Sequence, residues 1–302
     1  MSDAVMERIR ELKAKRNAVI LAHNYQLGEV QDAADWVGDS LELARKAAAS
    51  DADVIVFCGV HFMAETAAIL APDKKVLLPE PSAGCPMADM ADAKDLAAFK
   101  AEHPGAAVVA YVNSSAAVKA LTDVCCTSAN AIEVVQHFPK DQEIIFVPDK
   151  HLGSYVARRL GREILLWNGF CPSHMWIRPE DIERRRKEFP DAVIMVHPEC
   201  RPEVVELADE VLGTGGMCRM ARESDATTFV IGTEVGLIHR LKKENPDKRF
   251  VAASEQAICM NMKKITLDSV VRALDKMDCQ VTVEPEVREK ALGAVERMVQ
   301  FG

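Results

Sequence analysis

The sequence predicts an α/β fold assembled from three copies of one strand-and-helix unit. Three observations predict it. Similar strand-like runs recur at a long period, and each follows a helical stretch of mixed charge and apolar residues. The positions that mark the period are polar side chains or cysteines, not the apolar residues that packing alone would repeat. At 302 residues the chain is too long for one small core and long enough for two or three compact units.

The elements follow in order. The first strands are the runs NAVILAHN (17–24), AAVVAYVN (106–113) and DAVIMVHP (191–198), preceded by the helical stretches MERIRELKAKR, DAKDLAAFKAEH and PEDIERRRKEF. Their polar ends, His23, Tyr111 and His197, stand 88 and 86 residues apart. Second strands lead into WVGDS, VCCTS and VLGTG, with Ser40, Ser128 and Thr214 at the same two spacings. VIVFCG, EIIFVPD and TTFVIGT supply third strands, and KVLLPE, EILLWN and RFVAAS supply fourth ones. A cysteine follows each fourth strand: Cys85 in SAGCPM, Cys171 in GFCPSH and Cys259 in AICMNM, spaced by 86 and 88. Short apolar runs separated by helices are the signature of parallel sheets with crossover connections. The expected division is 1–105 with an N-terminal helix, 106–191, and 192–302 with an extra C-terminal helix. In open α/β sheets functional groups gather beyond the carboxyl ends of the strands, so three units about a pseudo-threefold axis would aim theirs at one centre.

Composition narrows the classes. The net charge of −9, with no lysine or arginine block, argues against a nucleic-acid surface. No apolar run approaches the roughly 20 residues that span a bilayer, and the N-terminus lacks the apolar core of a signal peptide. The expectation is a cytoplasmic protein with neither membrane nor nucleic acid as partner.

Nine cysteines, an odd number widely spread, argue for buried thiols plus a metal site and against a disulfide framework. Cys58, Cys125, Cys126, Cys200, Cys218 and Cys279 read as small buried hydrophobes. Cys85, Cys171 and Cys259 occupy equivalent loops, and three thiolates on one axis suit zinc or an iron–sulfur cluster. The lack of any CxxC pair favours the cluster. A [4Fe–4S] cluster held by three cysteines keeps one iron open, a Lewis acid able to draw off hydroxyl groups. Ser40, Ser128 and Thr214, at expected helix starts, form an anion cradle, although plain helix capping would explain Ser40 and Thr214 as well.

LAHNYQ, VGDSLELARKA, FCGVHFMAET, GCPMADM, YVNSSA, CCTSANA, GFCP, MVHPEC and LGTGGM, taken in order, resemble quinolinate synthase, the A protein of its pathway. The resemblance runs from Arg16 to Met298. It implies three Rossmann-like αβα three-layer domains with short parallel sheets, arranged as a triangle around a central cavity. It further implies that Cys85, Cys171 and Cys259 bind a [4Fe–4S] cluster whose fourth iron meets the substrate. Iminoaspartate, supplied by an aspartate oxidase or dehydrogenase, would be condensed with dihydroxyacetone phosphate to quinolinate, releasing phosphate and two waters on the route to NAD. By the same resemblance His23, Ser40, Tyr111, Asn113, Ser128, His197, Glu199 and Thr214 line the substrate pocket. Tyr25 and His174 join the proton transfers, for which Glu199 and His197 have suitable reference pKa values. An aconitase-type hydro-lyase, a cluster-bearing sensor and a zinc lyase are the rival readings.

Overall fold

Three four-stranded parallel sheets, one to each repeat, make up the core of the computed structural model, which describes residues 2–301. The first holds β1 (Ala18–His23), β2 (Trp36–Gly38), β3 (Val54–Cys58) and β4 (Lys75–Leu77). The second holds β5 (Ala107–Tyr111), β6 (Val124–Cys126), β7 (Ile144–Val147) and β8 (Leu165–Leu166). The third holds β9 (Val193–Val196), β10 (Glu210–Val211), β11 (Thr228–Gly232) and β12 (Arg249–Ala252). Strand order is the same in each, β2-β1-β3-β4, β6-β5-β7-β8 and β10-β9-β11-β12. Registers correspond too: Ala22 faces Cys58, Ala110 faces Val147, and Val196 faces Gly232. Three Rossmann-like αβα units result.

The central strands are buried along nearly their whole length, because helices cover both faces and the sequence there is almost entirely apolar. In the third sheet the alternation shows directly. Ile194, Val196 and Val230 face one apolar cluster, while Met195, Phe229 and Ile231 face another.

A repeated aspartate, spaced like the other landmarks, immediately precedes each second strand. Asp35, Asp123 and Asp209 accept the backbone N–H of Ile20, Val108 and Ile194 at 2.8, 2.7 and 2.8 Å. Each also returns its own N–H to the carbonyl of that residue. The side chain thus serves as one more rung of the ladder and satisfies a donor that the short second strand does not reach. Lys13, Lys100 and Arg186 pair with these same aspartates. The N-terminal helix Ser2–Arg16 therefore stands to β1 as the helices Ala93–Glu102 and Pro179–Glu188 stand to β5 and β9.

The helices Ala93–Glu102, Pro179–Glu188 and Leu267–Lys276 all begin eight residues after the repeated cysteine. The last packs on Ser2–Arg16 and β3, joining the end of the third repeat to the first. Arg16 secures that junction by donating to the carbonyls of Leu274 and Asp275 at 3.1 and 2.9 Å. The C-terminal helix Pro285–Gln300 lies outside the repeat and packs on β6 and on the helices Ser40–Ala48, His61–Leu70 and Ala116–Lys119. It buries Ala291, Ala294, Val295 and Met298, one face at helical spacing. Among the described residues no helix is long and apolar enough to cross a membrane.

Candidate active site

Each cysteine loop is tied to the end of its third strand by the same bond. The N–H of His61, Lys150 and Val235 donates to the carbonyl two residues before Cys85, Cys171 and Cys259, at 2.8, 2.9 and 3.0 Å. In the second loop the approach is so close that a Cβ on Gly169 would come within 2.4 Å of the Pro148 carbonyl oxygen, so only glycine fits. The carboxyl ends of the three sheets consequently face one narrow cavity of about 60 Å³. Its walls include His23, Tyr25, Ser40, Cys85, Tyr111, Asn113, Ser128, Cys171, His197, Glu199, Thr214 and Cys259. Every residue that the sequence assigns to the site is there except His174.

His174 lies one layer behind, 1% exposed, and links side chains that do reach the cavity. Its Nε2 is 2.8 Å from Thr233 Oγ1, which is 2.6 Å from the Tyr25 hydroxyl. Its Nδ1 makes a bent contact of 2.9 Å with Glu199 Oε2. Glu199 Oε1 accepts the Tyr111 hydroxyl. A continuous polar chain thus runs Tyr25–Thr233–His174–Glu199–Tyr111. Burial works to raise the Glu199 carboxyl, but His174 and His197 beside it and the hydrogen bond from Tyr111 outweigh burial and hold it below the usual range. Burial and the same carboxylate push both Tyr25 and Tyr111 well above an ordinary phenol, so each keeps its proton.

His23 and His197 are held alike. Their Nδ1 atoms accept the backbone N–H two residues on, Tyr25 at 3.2 Å and Glu199 at 3.3 Å. That leaves the proton on Nε2. Burial, opposed in part by Glu199, lowers both histidines to about 3, so each is neutral near pH 7 and keeps one N–H donor. His197 Nε2 donates to Ser128 Oγ at 3.1 Å, and Asn24 Nδ2 donates to Thr214 Oγ1 at 2.9 Å. With their oxygens occupied as acceptors, the two hydroxyls have protons to offer the cavity. Ser40 and Thr214 do not cap their helices. Asp39 and Gly213 occupy those positions, and Asp39 forms a capping box with Glu42. Asn113 Oδ1 is buried without a partner.

The thiols suit a metal centre. Among the nine cysteines, all unpaired, Cys85, Cys171 and Cys259 are half-buried in the cavity wall and the other six are buried. At each of the three sulfurs, backbone N–H groups of residues that follow it favour the thiolate. They come from Ala88 and Met87 for Cys85, His174 for Cys171, and Met262 and Asn261 for Cys259. Burial pushes all three up, Cys85 to about 12, and Cys85 and Cys259 each disfavour charge on a neighbouring sulfur. Three thiolates could share this wall only with positive charge between them, which a bound metal centre would supply. Cys171, His174 and Glu199 also offer donor atoms within 4.8 Å of one another.

Sequence reasoning missed Thr233, Glu234 and Asp149. Thr233 bridges Tyr25 and His174. Glu234, fully buried, accepts the Cys259 N–H at 3.1 Å and pairs with Lys263 at 2.8 Å. Asp149 lies beside the Cys171 N–H. All three follow third strands, so the strand-end rule used for the first and second strands would have found them had it been extended to the third.

A shared cavity of this kind, with proton-bearing side chains and a thiol wall at strand ends, defines an α/β enzyme of three fused units. A family model described as quinolinate synthetase A protein matches residues 7–300. A quinolinate synthase of Dehalococcoides mccartyi strain CBDB1 is 58% identical over 298 residues, covering 99% of this chain and 98% of that protein. One from Thermodesulfovibrio yellowstonii is 56% identical over 300 residues, covering 99% of each. One from Methanoregula boonei is 55% identical over 295 residues, covering 98% and 97%. The chain belongs to the quinolinate synthetase A family.

Proposed function

We propose that this chain is a quinolinate synthase of NAD biosynthesis, condensing iminoaspartate with dihydroxyacetone phosphate to quinolinate and releasing phosphate and two waters. The observation that carries this reading is the meeting, in one cavity, of a wall of three N–H-supported thiols with the Tyr25-to-Tyr111 polar chain. Cys85, Cys171 and Cys259 would hold a [4Fe–4S] cluster, whose open iron supplies Lewis acidity towards a hydroxyl or carboxylate oxygen. Everything else falls to the chain's own side chains.

Ser128 and Thr214 donate O–H to the anionic groups of the substrates, and Ser40, in the first turn of its helix, adds a third hydroxyl. Neutral His23 donates Nε2–H to a carboxylate or carbonyl oxygen, a role closed to it if it were an acceptor at that atom. Asn113 turns its unpartnered Oδ1 to an N–H of the imine or its enamine tautomer. Glu199, ionised and carrying no proton, is the base of the site, and His197 beside it holds Ser128. The network orients every proton from Tyr25 towards Glu199: Tyr25 to Thr233, Thr233 to His174 Nε2, His174 Nδ1 to Glu199. A substrate proton taken at the Tyr25 oxygen shifts each bond of the chain by one, Tyr25 to Thr233, Thr233 to His174 Nε2 and His174 Nδ1 to Glu199, and the chain so reversed returns a proton from Glu199 to substrate at the Tyr25 oxygen. Such a delivery suits the departure of hydroxide as water. The domain division at about residues 105 and 191 follows from the same reading, each unit supplying one thiol.

Iminoaspartate hydrolyses readily, so an aspartate oxidase or dehydrogenase must act upstream. Nine unpaired thiols and an oxygen-sensitive open iron suit the reducing cytoplasm. The test is an anaerobic quinolinate assay on protein of measured iron and sulfide content. Quinolinate formation that follows cluster content supports the proposal; an iron-free protein of full activity removes it. The donor group Cys171, His174 and Glu199 favours a second reading, a mononuclear zinc lyase, and zinc at one equivalent without sulfide would select it.

A further inference from the structure

Arg240 belongs to no part of the site described above, yet it ends a chain of contacts that reaches the cavity. It lies on the helix Leu237–Glu244 of the third repeat and crosses to Asn24, just beyond β1 in the first. Its Nη1 is 2.9 Å from Asn24 Oδ1, and Nε is 2.6 Å from Glu244 Oε1. A guanidinium has donors only, so the Asn24 atom that faces it must be the carbonyl oxygen. The amide nitrogen is then forced to the other side, where it donates to Thr214 Oγ1. Asn24 is fully buried and cannot escape this choice by turning to solvent. Thr214, its oxygen already accepting, has no protein acceptor for its own proton among the described residues, and its side chain lines the cavity.

We infer that Arg240 is a positioning residue for anion recognition: it fixes the orientation of the Asn24 amide, which makes Thr214 a donor to a carboxylate or phosphate oxygen of the ligand. Without the guanidinium the amide is free to reverse. The Thr214 proton then satisfies Asn24 Oδ1 and is lost to the ligand, whose oxygen instead meets a lone pair. One hydrogen bond to a charged group corresponds to roughly 10–100-fold in affinity. The inference rests on the anion-binding role proposed for Thr214.

Binding of pyridine-2,3-dicarboxylate to the anaerobic, cluster-loaded protein tests it without turnover. The variants are Arg240→Met, Arg240→Lys, Thr214→Val and the Arg240→Met/Thr214→Val double. Arg240→Met and Thr214→Val should each weaken binding by about 10–100-fold, and the double should be no weaker than Thr214→Val, because both act through one hydroxyl. Arg240→Lys keeps a donor towards Asn24 and should recover most of the affinity; it carries the comparison, paired with Thr214→Val, if Arg240→Met does not fold. In steady-state assays Arg240→Met should raise KM with kcat little changed. Arg240→Met binding as tightly as the unaltered protein would overturn the inference, as would losses that add in full in the double variant. A cluster-loaded unaltered protein that binds no dicarboxylate would instead remove the anion-site reading, and the inference with it.

Discussion

Replacing Tyr25 by phenylalanine removes one hydroxyl from a chain whose other members keep their partners. Among the described residues that hydroxyl bonds to Thr233 Oγ1 alone, at 2.6 Å, and Thr233 retains His174 Nε2 at 2.8 Å. No buried donor is orphaned, so the cost to stability is that of one ordinary hydrogen bond, about 0.5–1.5 kcal/mol. Edge contact of the ring with His23, at 4.6 Å between centroids, is unaffected. The rate is another matter. If Tyr25 delivers a proton to the departing hydroxyl, its loss should lower kcat by about 10²–10⁴-fold, equivalent to roughly 3–5 kcal/mol of barrier. The assay is quinolinate formed anaerobically per loaded cluster, with iron content and melting temperature recorded for the same samples. A Tyr25→Phe protein that holds its cluster and works at full rate would refute the assigned role. So would equal losses in turnover and cluster content, which would make Tyr25 a support for the metal loop.

Changing Cys85, Cys171 or Cys259 singly to alanine should abolish a four-iron cluster, while Cys58→Ala or Cys200→Ala should leave it; iron and sulfide analysis decides, and four irons retained without Cys171 would sink the triad. Asp123→Ala should cost about 1–3 kcal/mol in urea unfolding, because the fully buried Val108 loses its partner for a backbone N–H; an unchanged midpoint would show that the ladder closes without the side chain. Acid should destabilise the fold. Below pH 6.5 the unfolded chain binds protons that His23 and His197 refuse until about pH 3, so stability falls with pH across that window. At about pH 5 the loss is on the order of 2 kcal/mol for each histidine. His23→Gln should flatten the slope, and an unaltered slope would mean that its imidazole charges freely in the folded state.

Much of the fold was legible because the repeat imposes a period that no single helix or strand could produce. The strand runs, the helices that precede them and the three cysteine loops all fall where the spacing put them. The aspartates at the same period were equally visible, but their meaning was not. A side chain standing in for a rung of β-ladder is recognisable only once the second strand is known to start one residue later. Ser40 and Thr214 show a related limit. Helix starts were readable to within a residue, whereas which residue capped each was not, and Asp39 and Gly213 took the cap positions.

Sequence alone determined the units and the identity of the groups each brings to the centre, since these depend on local pattern and on where strands end. Only the tertiary structure decided how the groups address one another. His174 follows Cys171 by three residues, yet its partners Thr233 and Glu199 come from the third repeat, and burial places it behind the cavity wall. Arg240 and Thr214 lie in the third repeat and Asn24 in the first, yet they form one line of hydrogen bonds. The physical reason is that a hydrogen bond has direction as well as reach. Residue types and spacings give the donors and acceptors that are present, but which one donates is settled by neighbours that only folding brings into contact.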